Sequence, residues 1–427
     1  MVYGPMATMS ISAVAVMLLA TIVVVREPKV LAKLQTARKL FYVSLALAVA
    51  CVWSLVWAKW TDLEFMGAHP NVQILKDSAK AWHLFFPFFL LVLLSRLSDR
   101  KFRTIIVIWL FAGLLISFFA FAQHYFPIYK PSKLAYLNYP NYVRGTGFWD
   151  RLSGSYHATG FTGFHLSFAS IMAFPFGVWL TLAVLSLRRG RHNVWSLGAF
   201  SVPLKPLAVF GAVVTFGANF LSYSKIAWIS GPLTVALIGW TGLRGRIRYG
   251  VMGVLIMFAG LWSTTSEFRL RFQGLNSILG ERLELWKANW AMVREHPWFG
   301  VGWHHNFELS YAYYDWMKVK HGFSSHAHNN LLDQWATTGL FGVLSFIVLN
   351  FLLFKMSLKV YRAKISSRGD DLLPRALGLG FFAAWICLHI NGVTQANFWD
   401  AKVLHQIGWV SAVTLEIVRR AESRVRV

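Results

Sequence analysis

Apolar residues in this chain come in long runs separated by short polar stretches. A bilayer core requires about 20 apolar residues in helix. Runs near that length lie at roughly 7–25, 40–58, 81–95, 104–125, 161–187, 206–222, 226–242, 249–263, 338–358, 376–393 and 403–418. Lipid offers no partner to free backbone groups, so each run predicts a helix. The third and eighth are short and lean on flanking aromatics. The pattern predicts an all-α polytopic membrane protein with about 11–12 transmembrane helices. Eight helices form an N-terminal bundle over 1–263, a large loop spans 264–330, and 331–427 holds the C-terminal helices. No period of 20–50 residues and no low-complexity tract interrupts this plan.

Charge orients the helices. The 427 residues are 56% apolar and 14% charged, which excludes an ordinary soluble domain. A net charge of +24 could suggest nucleic acid, but its placement argues against that. Basic clusters such as Arg26 to Lys39, Arg96 to Arg103, Arg188 to Arg191, Arg244 to Arg248, Lys359 to Arg375 and Arg419 to Arg426 each follow an odd-numbered run. Those ends are therefore expected on the cytoplasmic side. The N-terminus then lies outside and the C-terminus inside, with 59–80, 126–160, 223–225, 264–330 and 394–402 on the outer face. Met1 to Ser10 lacks a basic n-region, so the first run reads as a retained anchor. Cys51 and Cys387 both lie inside apolar runs and offer no disulfide framework.

The outer segments hold the candidate chemistry. Within 264–330, residues 281–295 predict an amphipathic helix with Leu283, Trp286, Trp290 and Val293 on one stripe. Pro297 stops it, and Gly300 and Gly302 mark a turn. His296, His304, His305, His321, His326 and His328 also lie in this loop. Ser325 to Leu332 leads directly into the ninth helix. A histidine there could serve as a general base, since its pKa lies near neutrality, or could simply cap the helix. The histidine spacing does not suit zinc, and the one Asp-Asp pair, Asp370-Asp371, is on the cytoplasmic side, so no metal is expected. Arg269, Arg271 and Arg282 depart from the charge rule, although Arg282 also adjoins Glu281 and Glu284. Ser222-Tyr223-Ser224-Lys225 and the stretch Arg144 to Gly154, with Arg151, place further cations outside. These either snorkel from the bilayer or surround an anionic headgroup.

Taken in order, these elements resemble the O-antigen ligase family, within the ligase and polymerase superfamily of bacterial surface polysaccharides. His328-Asn329, nine residues and then Gly339 is similar to the family's His-Asn…Gly pattern. Gly280 to Trp286 resembles its Arg-x-x-x-Trp helix, and Pro297 to Trp303 its Pro-x-x-Gly-x-Gly turn. Ser222-x-Ser224-Lys225 stands in the place of a Ser-x-Ser-Arg turn, and Arg151 to Ser155 in that of an Arg-x-x-Gly element. Lysine at 225 keeps the charge of the family's arginine but loses its fork. The family is described with twelve helices and both termini inside, one helix more than the runs give.

The resemblance implies a GT-C-type glycosyltransferase of the bacterial inner membrane, with its site facing the periplasm and no cofactor. The donor would be polysaccharide on undecaprenyl diphosphate, and the acceptor a sugar hydroxyl of lipid A–core. His328 would be the base. Arg282, Lys225, Arg151 and Arg144 would neutralise the diphosphate, with His326, Asn329, Ser222, Ser224, Gly300 and Gly302 around the substrates. A polymerase or a transferase to protein fits the same motifs. A transporter of lipid-linked sugar would instead be expected to carry charges at the bilayer midplane, where these runs have almost none.

Overall fold

The computed structural model describes residues 4–61, 63, 70–125, 158, 165–188, 194–197, 200–222, 224–265, 275–313, 326–363 and 372–425. Helices stand at each of the eleven apolar runs. In chain order they are α1 (Gly4–Arg26), α2 (Arg38–Trp60), α3 (Pro70–Lys80), α4 (Phe86–Leu94), α5 (Asp99–Tyr125), α6 (His165–Arg188), α7 (Leu204–Phe220), α8 (Ala227–Gly242) and α9 (Arg246–Ser263). The loop contributes α10 (Leu275–Glu295) and α11 (Asn306–Tyr313), followed by α12 (Asn330–Arg362), α13 (Leu373–Asn391) and α14 (Ala401–Val425). Among the described residues, six helical stretches are long and apolar enough to cross a membrane, and shorter apolar helices lie at Ala13–Arg26 and Leu204–Phe220. The chain is a multi-pass membrane protein.

The structure departs from the sequence expectations in three places. The third span is longer than the run 81–95, because α3 passes through a 3₁₀ segment, Ala81–Phe85, into α4 as one stretch from Ile74 to Leu94. Pro87, near the start of α4, has no amide hydrogen to continue a ladder, which suits a change of helix type there. A short antiparallel hairpin, β1 (Val194–Leu197) and β2 (Phe200–Pro203), precedes α7, with Val194 opposite Pro203. In α10 the buried stripe is Leu285, Ala288, Asn289, Met292 and Val293, whereas Leu283 and Trp290 are exposed.

The core forms where α6, α7 and α13 cross. A Cβ on Gly177 would lie 2.5 Å from the Gly380 carbonyl oxygen, so only glycine lets these backbones approach. Trp179, Phe174, Phe381 and Trp385 close around the crossing, each almost wholly buried. Phe174 and Trp385 meet edge to face at 5.4 Å.

Polar contacts gather at two ends of the bundle. At one end Arg420 pairs with Glu416 and Asp99 and donates to the Leu97 carbonyl, Lys359 pairs with Glu422, and Arg96 pairs with Glu27. At the other, Ser54 near the end of α2 accepts from the Trp303 amide. There Asn330 at the start of α12 donates its amide hydrogen to Gly392 and its side-chain amide to Asn397. Asn397 in turn donates to Ser170 in α6. The basic clusters that follow the first, third, ninth and eleventh runs thus meet one another, and the candidate chemistry lies at the opposite end.

Candidate functional site

The ninth predicted helix starts at a defined cap. The Asn329 side chain accepts the amides of Leu331 and Leu332 at 3.0 and 3.1 Å, closing two of the donors a helix start leaves open. Asn329 is therefore engaged as the N-cap of α12. Just before it, His328 has φ +48°, a left-handed conformation that non-glycine residues rarely take. The His326 Nδ1 accepts the His328 amide at 3.2 Å, and the two rings lie 4.1 Å apart. An acceptor at Nδ1 places the proton of neutral His326 on Nε2.

Asp333 holds this turn from within the first turn of α12. Its buried carboxylate accepts the Ala327 amide at 3.1 Å and the Asn306 side-chain amide at 2.8 Å. Asn306 also donates to Asn289 at 2.8 Å, and Asn289 donates to the Leu285 carbonyl of its own helix. One hydrogen-bonded chain therefore links the histidine turn to α11 and α10. Arg282 lies on α10, half-buried. Burial lowers its pKa, and Glu281 opposes that shift. The His326 pKa is lowered, first by burial and further by the Arg282 charge, with Asp333 opposing. Arg282, His326 and His328 thus share one corner of the molecule.

A second pair of histidines adjoins it. His304, with φ +66°, stacks on Trp303 at 4.6 Å and meets Trp399 edge-on at 6.1 Å. Its pKa falls to about 4, mainly by burial and then by the Lys80 charge, although Asp333 and Asp77 oppose the fall. His305 is buried, with Nδ1 3.0 Å from Glu308 and Nε2 3.7 Å from Asp77. Asp77, 2% exposed, pairs with Lys80 at 2.5 Å. Among the described residues no group of three or more His, Cys, Asp or Glu side chains could hold a metal ion.

The glycine turn serves packing. Gly339 breaks α12 with φ +65° and ψ −166°. The carbonyls of Ala336 and Thr337 accept the amides of Val301 and Gly302 at 2.9 and 3.1 Å, and Leu340 donates to Pro297 at 2.8 Å. A Cβ on Gly300 would stand 2.4 Å from the Thr337 carbonyl carbon. The Gly300 amide donates to His296 at 3.0 Å. Gly300 and Gly302 thus seat the Pro297 to Gly302 turn in the break, with their amide hydrogens committed there rather than offered to a ligand.

The Ser222–Lys225 turn joins the same end of the bundle by a longer route. Ser222 and Ser224 are buried, with the Ser224 amide 3.3 Å from the Ser222 hydroxyl, and Lys225 is half-buried. From that turn α8 carries Ser230, which donates to Asn391 at 2.8 Å. Asn391 adjoins Gly392, the acceptor of the Asn330 amide. Arg144 and Arg151 lie outside the described residues.

Asp333, Asn306, Asp77 and Lys80 were not singled out from sequence. Asp333 carried a usable signal, a carboxylate in the first turn of a membrane helix, where burial is costly without partners. Asp77 and Lys80 carried none, because their helix was hidden in a segment read as loop. Residues 210–347 match the family described as O-antigen ligase. No curated protein matches the chain. The matched stretch runs from α7 past the break in α12 and contains Lys225, Arg282 and His328.

Proposed function

Because the chain carries the domain of the O-antigen ligase family over residues 210–347, we propose that it moves a polysaccharide from undecaprenyl diphosphate to a sugar hydroxyl of lipid A–core. The reaction is set at the periplasmic face of the bacterial inner membrane. One observation carries this reading: the His326–His328 pair stands at the start of α12 on a buried Asp333 network, near enough to Arg282 to feel its charge.

His328 takes the proton of the acceptor hydroxyl as its oxygen attacks the anomeric carbon. The bond from that carbon to the diphosphate oxygen breaks, and the diphosphate leaves with the electron pair. Arg282 offers the fork that suits phosphate oxygens, with Lys225 and, outside the described residues, Arg151 and Arg144 as further cations. A neutral His326 beside His328 adds no second positive charge where the proton must land. A diphosphate neutralised by cations leaves without a protonating acid and without a metal, and direct attack of the acceptor oxygen, with no enzyme nucleophile between, makes the step a single displacement with inversion.

The test is transfer by purified protein in detergent, supplied with lipid-linked donor and lipid A–core. His328→Ala and Arg282→Ala should abolish product while the proteins still unfold at the native temperature, and Arg282→Lys should recover only part. Near-normal product from either alanine variant overturns the assignment of the site. Product with a second donor molecule or a protein in place of lipid A–core assigns the acceptor to a polymerase or protein transferase instead.

A further inference from the structure

We propose that the cavity between α1, α2 and α4, at the basic end of the bundle, is a binding site for an anionic glycerophospholipid of the adjoining leaflet. The cavity measures about 510 Å³, within the range of small-ligand sites. Its walls are apolar and include Ala20, Val24, Phe41, Phe85, Phe88 and Val92. Such walls give ordered water few partners and suit an acyl chain. Phe41 and Tyr42 line it and are exposed, so it reaches the lipid-facing surface.

Polar groups occupy one rim. Gln35, Arg38 and Tyr42 line the cavity, the Arg38 Nε donates to the Tyr42 hydroxyl at 3.3 Å, and the guanidinium carbon lies 5.4 Å from the Tyr42 ring centre. The acids bordering this corner are held by other groups. Glu27 pairs with Arg96 at 2.7 Å, and Glu422 pairs with Lys359 and accepts from Thr36. Arg26, Lys29 and Lys39 lie close to this corner in the chain and add to its positive charge. An apolar slot with a guanidinium at its mouth matches a ligand with acyl chains and one phosphodiester, and basic pockets between membrane helices hold such headgroups. The site lies at the opposite end from the histidine pairs and does not depend on the proposed reaction.

The test titrates detergent-purified protein with dioleoyl phosphatidylglycerol or dioleoyl phosphatidylcholine and counts lipid adducts by native mass spectrometry. The native protein should retain phosphatidylglycerol in preference. Arg38→Ala should weaken that lipid about fivefold and leave phosphatidylcholine unchanged. Arg38→Gln keeps the side-chain length and should give the same loss, which separates charge from packing. Val24→Trp, which fills the wall, should weaken both lipids. Equal retention of the two lipids by the native protein, or undiminished phosphatidylglycerol on both Arg38 variants, overturns the proposal.

Discussion

His304 and His328 are the non-glycine residues with positive φ among those described, and each begins or ends a histidine pair that Asp333 borders. Such conformations persist only where the surroundings over-determine them, and beside His328 the Asp333 carboxylate supplies part of that by holding the Ala327 amide and the Asn306 side chain. Asp333→Ala leaves the Asn306 amide and the Ala327 amide without their acceptor. Hydrogen bonds to a charged group contribute about 1.5–3 kcal/mol each, so a loss of roughly 3 kcal/mol is expected in thermal or denaturant unfolding. Transfer activity should fall with it, and Asp333→Asn, which keeps an acceptor oxygen, should lose less. Equal stability of the alanine variant and the native protein would remove Asp333 from this role. His304 supplies a pH test. Its folded pKa of about 4 lies below the ordinary value of 6.5. Between these values the unfolded chain binds the proton and the native one does not, so stability falls as pH drops from 6.5 towards 4. His304→Asn, an identity that tolerates left-handed backbone, should lose less of its unfolding temperature between pH 7.5 and 5 than the native protein does. An identical drop in both would place the pH dependence elsewhere.

At the scale of elements, the break in α12 and the turn it receives form one device. Gly339→Ala would put a Cβ 2.2 Å from the Trp298 carbonyl and impose a side chain on φ +65°. The expected result is release of the Pro297 to Gly302 turn, seen as a lower unfolding temperature and faster proteolysis near residue 300. Gly280→Ala is the control, because a Cβ there meets nothing within 4 Å and a helical glycine costs about 1 kcal/mol relative to alanine. If the two variants behave alike, the turn is not held by the break. The sequence made the eleven helices legible because bilayer thickness demands length, and length can be counted. It also made the Pro297 to Gly302 turn legible through proline and glycine, whereas the Asn329 cap of α12 emerged only from the structure. The buried face of α10 was not legible. That helix has apolar residues on two sides, Leu285, Met292 and Val293 towards the protein and Leu283 and Trp290 outward, and periodicity does not say which side meets protein. The Asp333–Asn306–Asn289 chain was hidden for a related reason: each of three consecutive helices contributes one polar side chain, across gaps of 17 and 27 residues that lie beyond a local pattern, although the Asp333 carboxylate alone was noticeable.

At the scale of the whole molecule, the charge rule and the contacts describe one axis. The basic clusters knit the ends of α1, α4, α12 and α14 through ion pairs with Glu27, Asp99, Glu416 and Glu422, so they stabilise that end as well as orienting it. The polar ends of α2, α6, α12 and α13 converge opposite, around the histidines. A donor whose diphosphate lies in the outer leaflet can reach Arg282 only if that second end faces the periplasm. Cysteine labelling decides this with the native cysteines left in place, because Cys51 and Cys387 are buried and should stay silent to a polar reagent. Arg294→Cys lies exposed just before the Pro297 turn, and Lys101→Cys lies exposed at the start of α5. An impermeant maleimide applied to intact spheroplasts should label the first and reach the second only after the membrane is opened. The reverse order would put His328 and Arg282 in the cytoplasm, away from any lipid A–core acceptor at the outer face, and the transferase reading would fail even with every contact in the site intact.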